Sequence, residues 1–408
     1  MYLARAYSII RQKRLPRHVT RQAGFSLVEL MVGMVIGLLA ILVIMQIFSA
    51  FEGQKRTTMG TADAQTSGSV ALYSIQREVQ LAGYALPLYD RLNMPLGCTT
   101  ASPDAIKADG TAGTDVVTDV DHDNSTATAN INLTPIDIID GGAAGASDSL
   151  IIRYGNSASG GVQTKVTVVS PTTNTVTVVN NQGCNQGDVV YVVQGASCVA
   201  TWVNDASLTA TTATRADPVH IVLASVASIN IDAKLACLGA WNQYRYQVTA
   251  NQLTRIDARQ PTIATPVVDG IVNIQAQYGI SATPNSNLIT RWVDATKANG
   301  WATPGNLGGN AVCDATTAQR GCIKAVRVAV VARNSLLEKT VVSKACTSVS
   351  AANPTGLCAW DATSASPVNA SSAPEIDLSN ITDWDHYRYK VYETIIPLRN
   401  IIWTRSRL

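Results

Sequence analysis

Hydrophobic and polar residues follow two different patterns in the N-terminal part of the chain. Residues 30–51 form an uncharged run of 22 residues, and at about 1.5 Å per residue a helix of this length crosses a hydrocarbon core of roughly 30 Å. Apolar residues then recur at spacings of three and four, at Leu72, Ile75, Val79 and Ala82. Polar residues lie between them, at Gln76, Arg77, Glu78 and Gln80. The first pattern predicts a transmembrane helix, and the second predicts an amphipathic helix that packs on a folded body.

These two stretches are expected to form one continuous helix. No proline occurs between Pro16 and Pro87, so no residue in this interval lacks a backbone donor or blocks helical geometry. Gly83 is well placed to end the helix shortly before Pro87. The sequence therefore predicts a helix from Phe25 to about Gly83.

Short runs rich in β-branched residues dominate the chain beyond Pro87. Turn-forming residues separate the first four runs, which predicts consecutive antiparallel strands at 149–155, 163–170, 174–180 and 188–194. Further strands are predicted at 218–226, 243–250, 270–280, 324–333 and 387–399. The predicted fold class is α+β, with a long N-terminal helix packed on a large, predominantly antiparallel β head.

Three segments between the predicted strands are longer than ordinary loops. They are rich in small and polar residues and cover 98–130, 281–322 and 344–382. We expect them to be flexible or functional surface. Taken together, they are where a partner-specific surface would lie.

Charge is distributed unevenly along the chain. Residues 1–24 carry six bases and no acid, so 25 bases and 29 acids remain in residues 25–408, a formal charge of −4. Because basic residues stay on the cytoplasmic side of a membrane span, the N-terminus is expected to be cytoplasmic and the head exported. In a Gram-negative cell the head would lie in the periplasm. The acidic remainder disfavours a strongly basic nucleic-acid binder.

Two ordinary interpretations of the N-terminus compete with a specialised one. A cleaved secretory signal also begins with a basic and an apolar region, but its apolar region is usually only about 7–15 residues long, and no small-x-small cleavage site clearly follows residue 51. Neither of these two objections applies to a plain single-pass anchor. It does not explain Glu29, a carboxylate at the edge of the apolar run, where an ionisable group is costly and usually has a partner.

The residues Gly24-Phe25-Ser26-Leu27-Val28-Glu29-Leu30 closely resemble the type IV prepilin signature. The resemblance implies that a membrane peptidase cleaves between Gly24 and Phe25 and that Phe25 becomes the N-methylated first residue. The chain then divides into a leader peptide at 1–24, a transmembrane and polymerisation half of the helix at 25–51, an amphipathic half at 52–86, and a periplasmic β-rich head at 87–408.

The same resemblance gives Glu29 a role in assembly. Its carboxylate would pair with the N-terminal amine of a neighbouring subunit when helices stack in a filament, since opposite charges attract strongly in a low-dielectric bundle. The alternative is an interfacial Glu29 that reaches the lipid headgroups. Gly33 and Gly37 form a G-x-x-x-G spacing, which permits close helix packing. Gln46 stands where major pilins commonly have proline, which argues against assuming that this helix melts in the filament as theirs can.

Eight cysteines lie in the predicted exported part, at 98, 184, 198, 237, 313, 322, 346 and 358. An even number in an oxidising compartment favours disulfides. Two local pairs, Cys313–Cys322 and Cys346–Cys358, would each close a polar loop, and the other four cysteines remain unassigned. The chain has no C-x-x-C and few histidines, which argues against a zinc or thioredoxin-like site.

Other catalytic and metal signals are weak. Asp119, Asp121 and Asp123 resemble the start of a calcium loop, but Asn124 occupies the place of its glycine and Asn130 that of its bidentate glutamate, so a solvated acidic loop is expected. There is no G-x-S-x-G, and none of the histidines lies in a catalytic motif; they are His18, His122, His220 and His386. We expect no enzyme activity, no cofactor and no metal.

Four stretches resemble the PilW family of minor pilins: 75–86, 268–280, 324–333 and 387–400. The resemblance implies a subunit that joins other minor pilins to prime assembly of a type IV pilus and sits at the tip of this fimbrium, often together with a tip adhesin. The prepilin peptidase, the major pilin and the inner membrane are its other implied partners. It is compatible with filaments for twitching motility, adhesion or DNA uptake.

Three rival functions remain open. A J-like minor pseudopilin of a type II secretion system would have the same helix and head. A membrane-anchored periplasmic adhesin or enzyme would keep its leader uncut. A DNA-uptake pilin would present clustered Lys and Arg on the head, which the acidic composition disfavours.

Overall fold

The computed structural model describes residues 24–86, 135–141, 145–180, 183–194, 197–204, 220–227, 229–257, 262–283, 286–295, 322–346, 356–360 and 376–403. The chain forms two compact units, Met1–Thr57 and Thr58–Leu408. In the first unit the described residues are almost entirely helical. The described residues of the second unit form a helical segment, three β-sheets and a short C-terminal helix.

Helix α1 comprises Leu27–Leu81. It is helical throughout, including at Gln46, as expected for a segment without proline. The chain turns at residues 82–85, and Gly83 has a φ of 78°, a left-handed conformation that glycine adopts readily at helix ends. The predicted C-terminal end is confirmed.

A five-stranded sheet has the order β1-β2-β9-β10-β11, and every pairing in it is antiparallel. Strand β2 is buried along nearly its whole length. The strands are β1 Ile136–Ile139, β2 Ser149–Tyr154, β9 Asn242–Thr249, β10 Gln252–Asp257 and β11 Ala264–Asp269.

A four-stranded antiparallel sheet has the order β13-β12-β14-β15. Its two central strands are the longest of the described strands and are almost completely buried. The strands are β12 Ile271–Ser281, β13 Ile289–Asp294, β14 Ile323–Arg333 and β15 Tyr389–Pro397. Helix α2, Arg399–Trp403, follows β15 directly.

A six-stranded sheet has the order β6-β5-β8-β3-β4-β7 and is also antiparallel. Its strands are β3 Gln163–Ser170, β4 Thr175–Val178, β5 Val189–Gln194, β6 Ser197–Trp202, β7 His220–Val222 and β8 Lys234–Gly239.

The main hydrophobic core lies between α1 and the first two sheets. Ala71, Ile75 and Val79 of α1 are fully buried in it, together with residues of strands such as Leu150 of β2 and Val328 of β14. The amphipathic half of the helix thus packs on the head, as the spacing predicted. The α+β class with a predominantly antiparallel head is confirmed.

Strand pairing corrects one expectation. All nine predicted runs contain a strand, but of the four runs predicted to pair consecutively, only β3 and β4 pair with each other. Strand β2 pairs with β1 and β9 instead, because it is a buried interior strand of its sheet, with its neighbour in sequence on one side and a strand distant in sequence on the other. Six strands were not predicted: β1, β6, β8, β10, β11 and β13.

The predicted loops are partly described. Strand β13 lies inside the segment 281–322, so that segment is not loop throughout. Within 344–382, residues 356–360 and 376–382 pack on the outer face of the four-stranded sheet through Trp360, Ile376 and Leu378. The segment 98–130 lies outside the described residues.

Candidate functional site

The start of α1 is fixed by a reciprocal pair of hydrogen bonds. The Ser26 hydroxyl accepts from the backbone N–H of Glu29 at 3.2 Å, and Glu29 Oε2 accepts from the backbone N–H of Ser26 at 3.0 Å. This is a capping box, in which the N-cap residue and the third helical residue satisfy each other's unpaired donors. Its Ser-x-x-Glu signal is visible in the sequence, but the sequence prediction did not use it. The carboxylate of Glu29 is thereby held beside the N-terminal residues of the helix.

Gly24 and Phe25 precede this first turn. Both residues are exposed, and the Phe25 side chain is 88% exposed. A Cβ added to Gly24 would meet no described atom within 4 Å. The peptide between Gly24 and Phe25 is therefore outside the helix and accessible. A substitution at Gly24 would meet no steric obstacle from the described part of the chain.

The apolar run 30–51 is exposed along all of its length. Its helix is long and apolar enough to cross a membrane. Gly33 and Gly37 lie one turn apart in this run, and a Cβ on either would have no described neighbour within 4 Å. Charge returns just after the run, where Arg56 Nη2 lies 2.9 Å from Glu52 Oε1. This part of the helix therefore presents a large apolar surface for lipid or for other helices.

In the second unit, α1 approaches the four-stranded sheet closely through small residues. A Cβ on Gly60 would lie 2.0 Å from Asn334 Oδ1, and one on Gly68 would lie 2.3 Å from two carbons of the Tyr392 ring. Ala64 and Ala71 continue this buried face. The sequence prediction covered only the later part of the face, from Leu72 to Ala82. These small residues carry only a weak apolar signal, although their spacing of three and four is regular for one helix face.

The structure corrects the sequence prediction for Glu78, which was grouped with the polar residues between the buried positions of the helix but is itself buried. Only 9% of the residue is exposed. Tyr154 donates its hydroxyl to Glu78 Oε2 at 2.9 Å, and Arg255 Nη1 lies 3.8 Å from Oε1. Glu78 faces the five-stranded sheet because that sheet supplies a donor and a cation. Burial, followed by the Glu78 charge, raises the pKa of the Tyr246 hydroxyl to about 12 and raises that of Tyr154.

The C-terminal end of α1 is capped from the far end of the chain. Asn400 donates its Nδ2 to the carbonyls of Ala82, Leu81 and Gln80 at 3.0, 3.3 and 3.4 Å. The last carbonyls of a helix have no partner within it, so this amide satisfies part of that need. Helix α2 therefore fastens the end of α1.

Two disulfides lie in the described part of the head. Cys346 is bonded to Cys358, one of the two local pairs expected from the sequence. Cys184 is bonded to Cys237, a long-range pair that the sequence left unassigned. Cys322 is also disulfide-bonded, whereas Cys313, its predicted partner, lies outside the described residues, as do Cys98 and the side chain of Cys198.

The described residues contain no group of three or more His, Cys, Asp or Glu side chains placed to hold a metal ion. The acidic stretch Asp119–Asp123 lies outside them, as do His18 and His122. His220 is exposed on β7, and His386 ends a short 3-10 helix, Trp384–His386. No catalytic constellation is assembled from these residues in the described part of the chain.

Comparisons with known protein families find matches to two separate parts of the chain. Residues 243–400 match the family model of the type IV pilus-assembly protein W, and residues 19–45 match that of the prokaryotic N-terminal methylation motif. Among solved structures, the chain is similar to a type IV-like pilin, TTHA1219 from Thermus thermophilus, at 12% identity over 52% of this chain and 84% of that one, with a TM-score of 0.20. No curated protein matches the chain.

Proposed function

We propose that the chain is a minor pilin that primes assembly of a type IV pilus and sits at its tip. The proposal is supported by the match of residues 243–400 to the family model of the type IV pilus-assembly protein W and by the match of residues 19–45 to the N-terminal methylation motif. The observation that carries the proposal is the coexistence of three parts on one polypeptide. These are an accessible Gly24–Phe25 peptide, a capped apolar helix and a large β head.

Processing is the first step of the proposed function. The prepilin peptidase cleaves the accessible peptide between Gly24 and Phe25, and Phe25 is then N-methylated. Cleavage removes the six bases of the leader and leaves a new amine two residues before Leu27, where α1 begins. The mature subunit remains in the inner membrane, with its head in the periplasm, because residues 30–51 still span the bilayer.

Assembly is the second step. Stacked helices exclude water, so the carboxylate of Glu29 pairs with the amine of a neighbouring subunit instead of remaining unpaired in an apolar bundle. The capping box supports this role, since it uses Oε2 of Glu29 for the helix start and leaves Oε1 outside the cap. Gly33 and Gly37 allow neighbouring helices to approach closely. The major pilin and the other minor pilins are the expected partners.

The head supplies selectivity rather than chemistry. Its described residues pack into buried cores and hydrogen-bonded sheets, and we expect it to have no catalytic activity and to bind no cofactor. A tip adhesin is a further expected partner.

Deletion of the coding sequence tests the proposal. We expect a strain without this chain to lose most of its surface pili, and a plasmid copy to restore them. Antibodies to the head should label the ends of restored filaments. Normal piliation together with a defect in the secretion of exported enzymes would instead identify a pseudopilin. Normal piliation and normal secretion would leave a membrane-anchored periplasmic protein.

A further inference from the structure

The head contacts α1 close to the start of the second unit. Gly60 is the third residue of this unit, and an added Cβ would lie 2.0 Å from Oδ1 of Asn334, the residue that follows β14. In the sequence, Gly60 comes nine residues after Phe51, where the apolar run ends. Nine residues reach at most roughly 30 Å even when fully extended. The surface around Asn334 therefore stays within about this reach of the apolar run, however the two units are arranged.

The six-stranded sheet is attached at the other end of the helical segment. Tyr84 donates its hydroxyl to the carbonyl of Ser157 at 3.0 Å, and the N–H of Ser157 donates to the carbonyl of Leu238 in β8 at 2.9 Å. From Gly60 to Leu81 the helix rises by roughly 30 Å. One end of the head is therefore close to the apolar run along the chain, and the other end is distant from it.

Residues 336–343, which we call the Leu337 segment, follow Asn334 and are held in place by hydrogen bonds. The N–H of Glu338 donates to the carbonyl of His386 at 2.8 Å. The side chain of Glu338 accepts from Nε of Arg388 at 3.0 Å. The segment has no regular secondary structure, but these contacts fix its backbone on the residues that precede β15.

The Leu337 segment directs aliphatic side chains to the outside. Leu337 is 49% exposed and Val341 is 57% exposed, and Lys339 between them is also exposed. The flanking residues Leu336 and Val342 are half-buried. Because hydrogen bonds hold the backbone, the exposure of the aliphatic side chains is a property of the folded head.

The charge around the segment is slightly positive, although the chain after the leader is acidic. Residues 334–346 and 383–390 together contain four Lys or Arg and three Asp or Glu, a formal charge of +1. Residues 25–408 carry a formal charge of −4. Lys339, Lys344 and Lys390 are exposed. This surface can therefore approach an anionic layer without net repulsion, and its aliphatic side chains supply most of the attraction.

A lipid bilayer fits this combination better than a protein does. Aliphatic side chains enter the boundary between headgroups and acyl chains, while a lysine extends its ammonium group to the phosphates. Two aliphatic side chains are too few for a stable complex between free proteins. A bilayer crossed by residues 30–51 of the same chain is instead always within reach, which gives it a high effective concentration.

We propose that the Leu337 segment docks on the surface of the bilayer that residues 30–51 cross. Leu337 and Val341 enter the interfacial layer, and Lys339 contacts lipid phosphates. The inference rests on the membrane anchoring within the proposed function and does not depend on a role in pilus assembly. Docking fixes the orientation of the head while the subunit is stored in the membrane, and the contact must break before the subunit leaves the bilayer.

Spin labels on the full-length chain in lipid nanodiscs test the docking. The nanodiscs contain phosphatidylethanolamine and phosphatidylglycerol, and a nitroxide is coupled to p-acetylphenylalanine in place of Val341. A matched chain carries the label in place of Val179, which is 64% exposed beside the six-stranded sheet. The ratio of nitroxide collisions with oxygen to collisions with a polar nickel chelate rises on entry into lipid. We expect this ratio to be about threefold higher at Val341 than at Val179.

Two variants of the Val341-labelled chain show whether lipid is the cause. Leu337→Glu with Lys339→Glu should lower the collision ratio about threefold, to the value at Val179, because two carboxylates oppose entry into an anionic interface. Ile231→Glu, a change at a position that is 61% exposed before β8, should leave the ratio unchanged. Peptide mapping should show the Cys346–Cys358 disulfide intact in each variant.

The outcomes separate the inference from the proposed function. Equal collision ratios at the two labelled positions, in a chain that remains in the nanodiscs, would overturn the docking and leave the proposed function standing. A high ratio at Val341 that persists in the double variant would also overturn it, because the protein itself would then shield the label. If the chain does not remain in the nanodiscs, the membrane anchoring fails, and both the proposed function and the inference fail with it.

Discussion

The capping box gives the Glu29 carboxylate a second role beside charge pairing with a neighbouring subunit. Three variants should distinguish helix capping from charge pairing. Glu29 accepts from the Ser26 N–H at 3.0 Å, and the Ser26 hydroxyl accepts from the Glu29 N–H at 3.2 Å. Glu29→Gln keeps an acceptor oxygen for the cap and removes the charge. Glu29→Ala removes both. Ser26→Ala removes the hydroxyl half of the box and keeps the charge.

The two roles differ in expected magnitude. Loss of an N-cap side chain costs about 1 kcal/mol, which is roughly a fivefold change in an equilibrium. Two unit charges about 4 Å apart attract by about 4 kcal/mol at an effective dielectric constant of 20, and desolvation offsets part of this attraction. If pairing with a neighbour's amine drives incorporation, Glu29→Gln and Glu29→Ala should both reduce incorporation at least tenfold. Ser26→Ala should reduce it by no more than about fivefold.

The assay is the ratio of mature subunit in sheared pili to mature subunit in membranes, measured with an antibody to the head. Leader cleavage is measured in each variant, so that a processing defect is not mistaken for an assembly defect. Wild-type incorporation of Glu29→Gln would refute charge pairing and assign Glu29 to helix capping. Equal losses in Ser26→Ala and Glu29→Ala would refute it as well.

Three further predictions concern the leader, the helix end and the head. Replacing Gly24 with alanine or a bulkier residue should leave uncut precursor in the membrane, visible as a larger band on an immunoblot. The described structure offers space for the new side chain, so only recognition by the peptidase should change. Mature protein in normal amount would contradict the assigned cleavage position. Asn400→Ala should lower the free energy of unfolding of the head by about 1–2 kcal/mol in urea titrations, since the carbonyls of Ala82 and Leu81 lose their donor. Asn400→Asp should lower the free energy of unfolding further. An unchanged urea midpoint in both variants would contradict the capping role of Asn400. Burial raises the pKa of Tyr246 to about 12. Because the unfolded chain ionises first, the contribution of the Tyr246 hydroxyl to stability is complete below about pH 10 and is lost as the pH rises to about 12. Tyr246→Phe should make denaturant midpoints less dependent on alkaline pH, and an unchanged dependence would show that the Tyr246 hydroxyl is not its source.

Helix α1 was predictable because its signals are local. The uncharged run 30–51, the absence of proline and the position of Gly83 lie along one stretch of chain, and α1 follows them closely. The capping box is equally local, because Ser26 and Glu29 are three residues apart. The earlier part of the buried helix face was harder to predict. Gly60 and Gly68 are buried only because Asn334 and Tyr392 approach them.

The head was predictable as strands but not as sheets. Runs such as 163–170 carry a strong β-branched signal, whereas the partner of a strand depends on contacts distant in sequence. Strand β2 shows this, because the six strands β3 to β8 lie between it and its partner β9 in the sequence. Glu78 illustrates the same limit for a single residue. Its burial follows from Tyr154 and Arg255, which no helical periodicity reveals.

The most direct measurement of the central claim is the mass of the N-terminal peptide of the protein isolated from its native membranes. The account predicts a peptide that begins at Phe25 and carries one methyl group on its amine. A peptide that begins at Met1 would contradict it, because an uncut leader leaves no new amine beside Glu29 and no route into a filament.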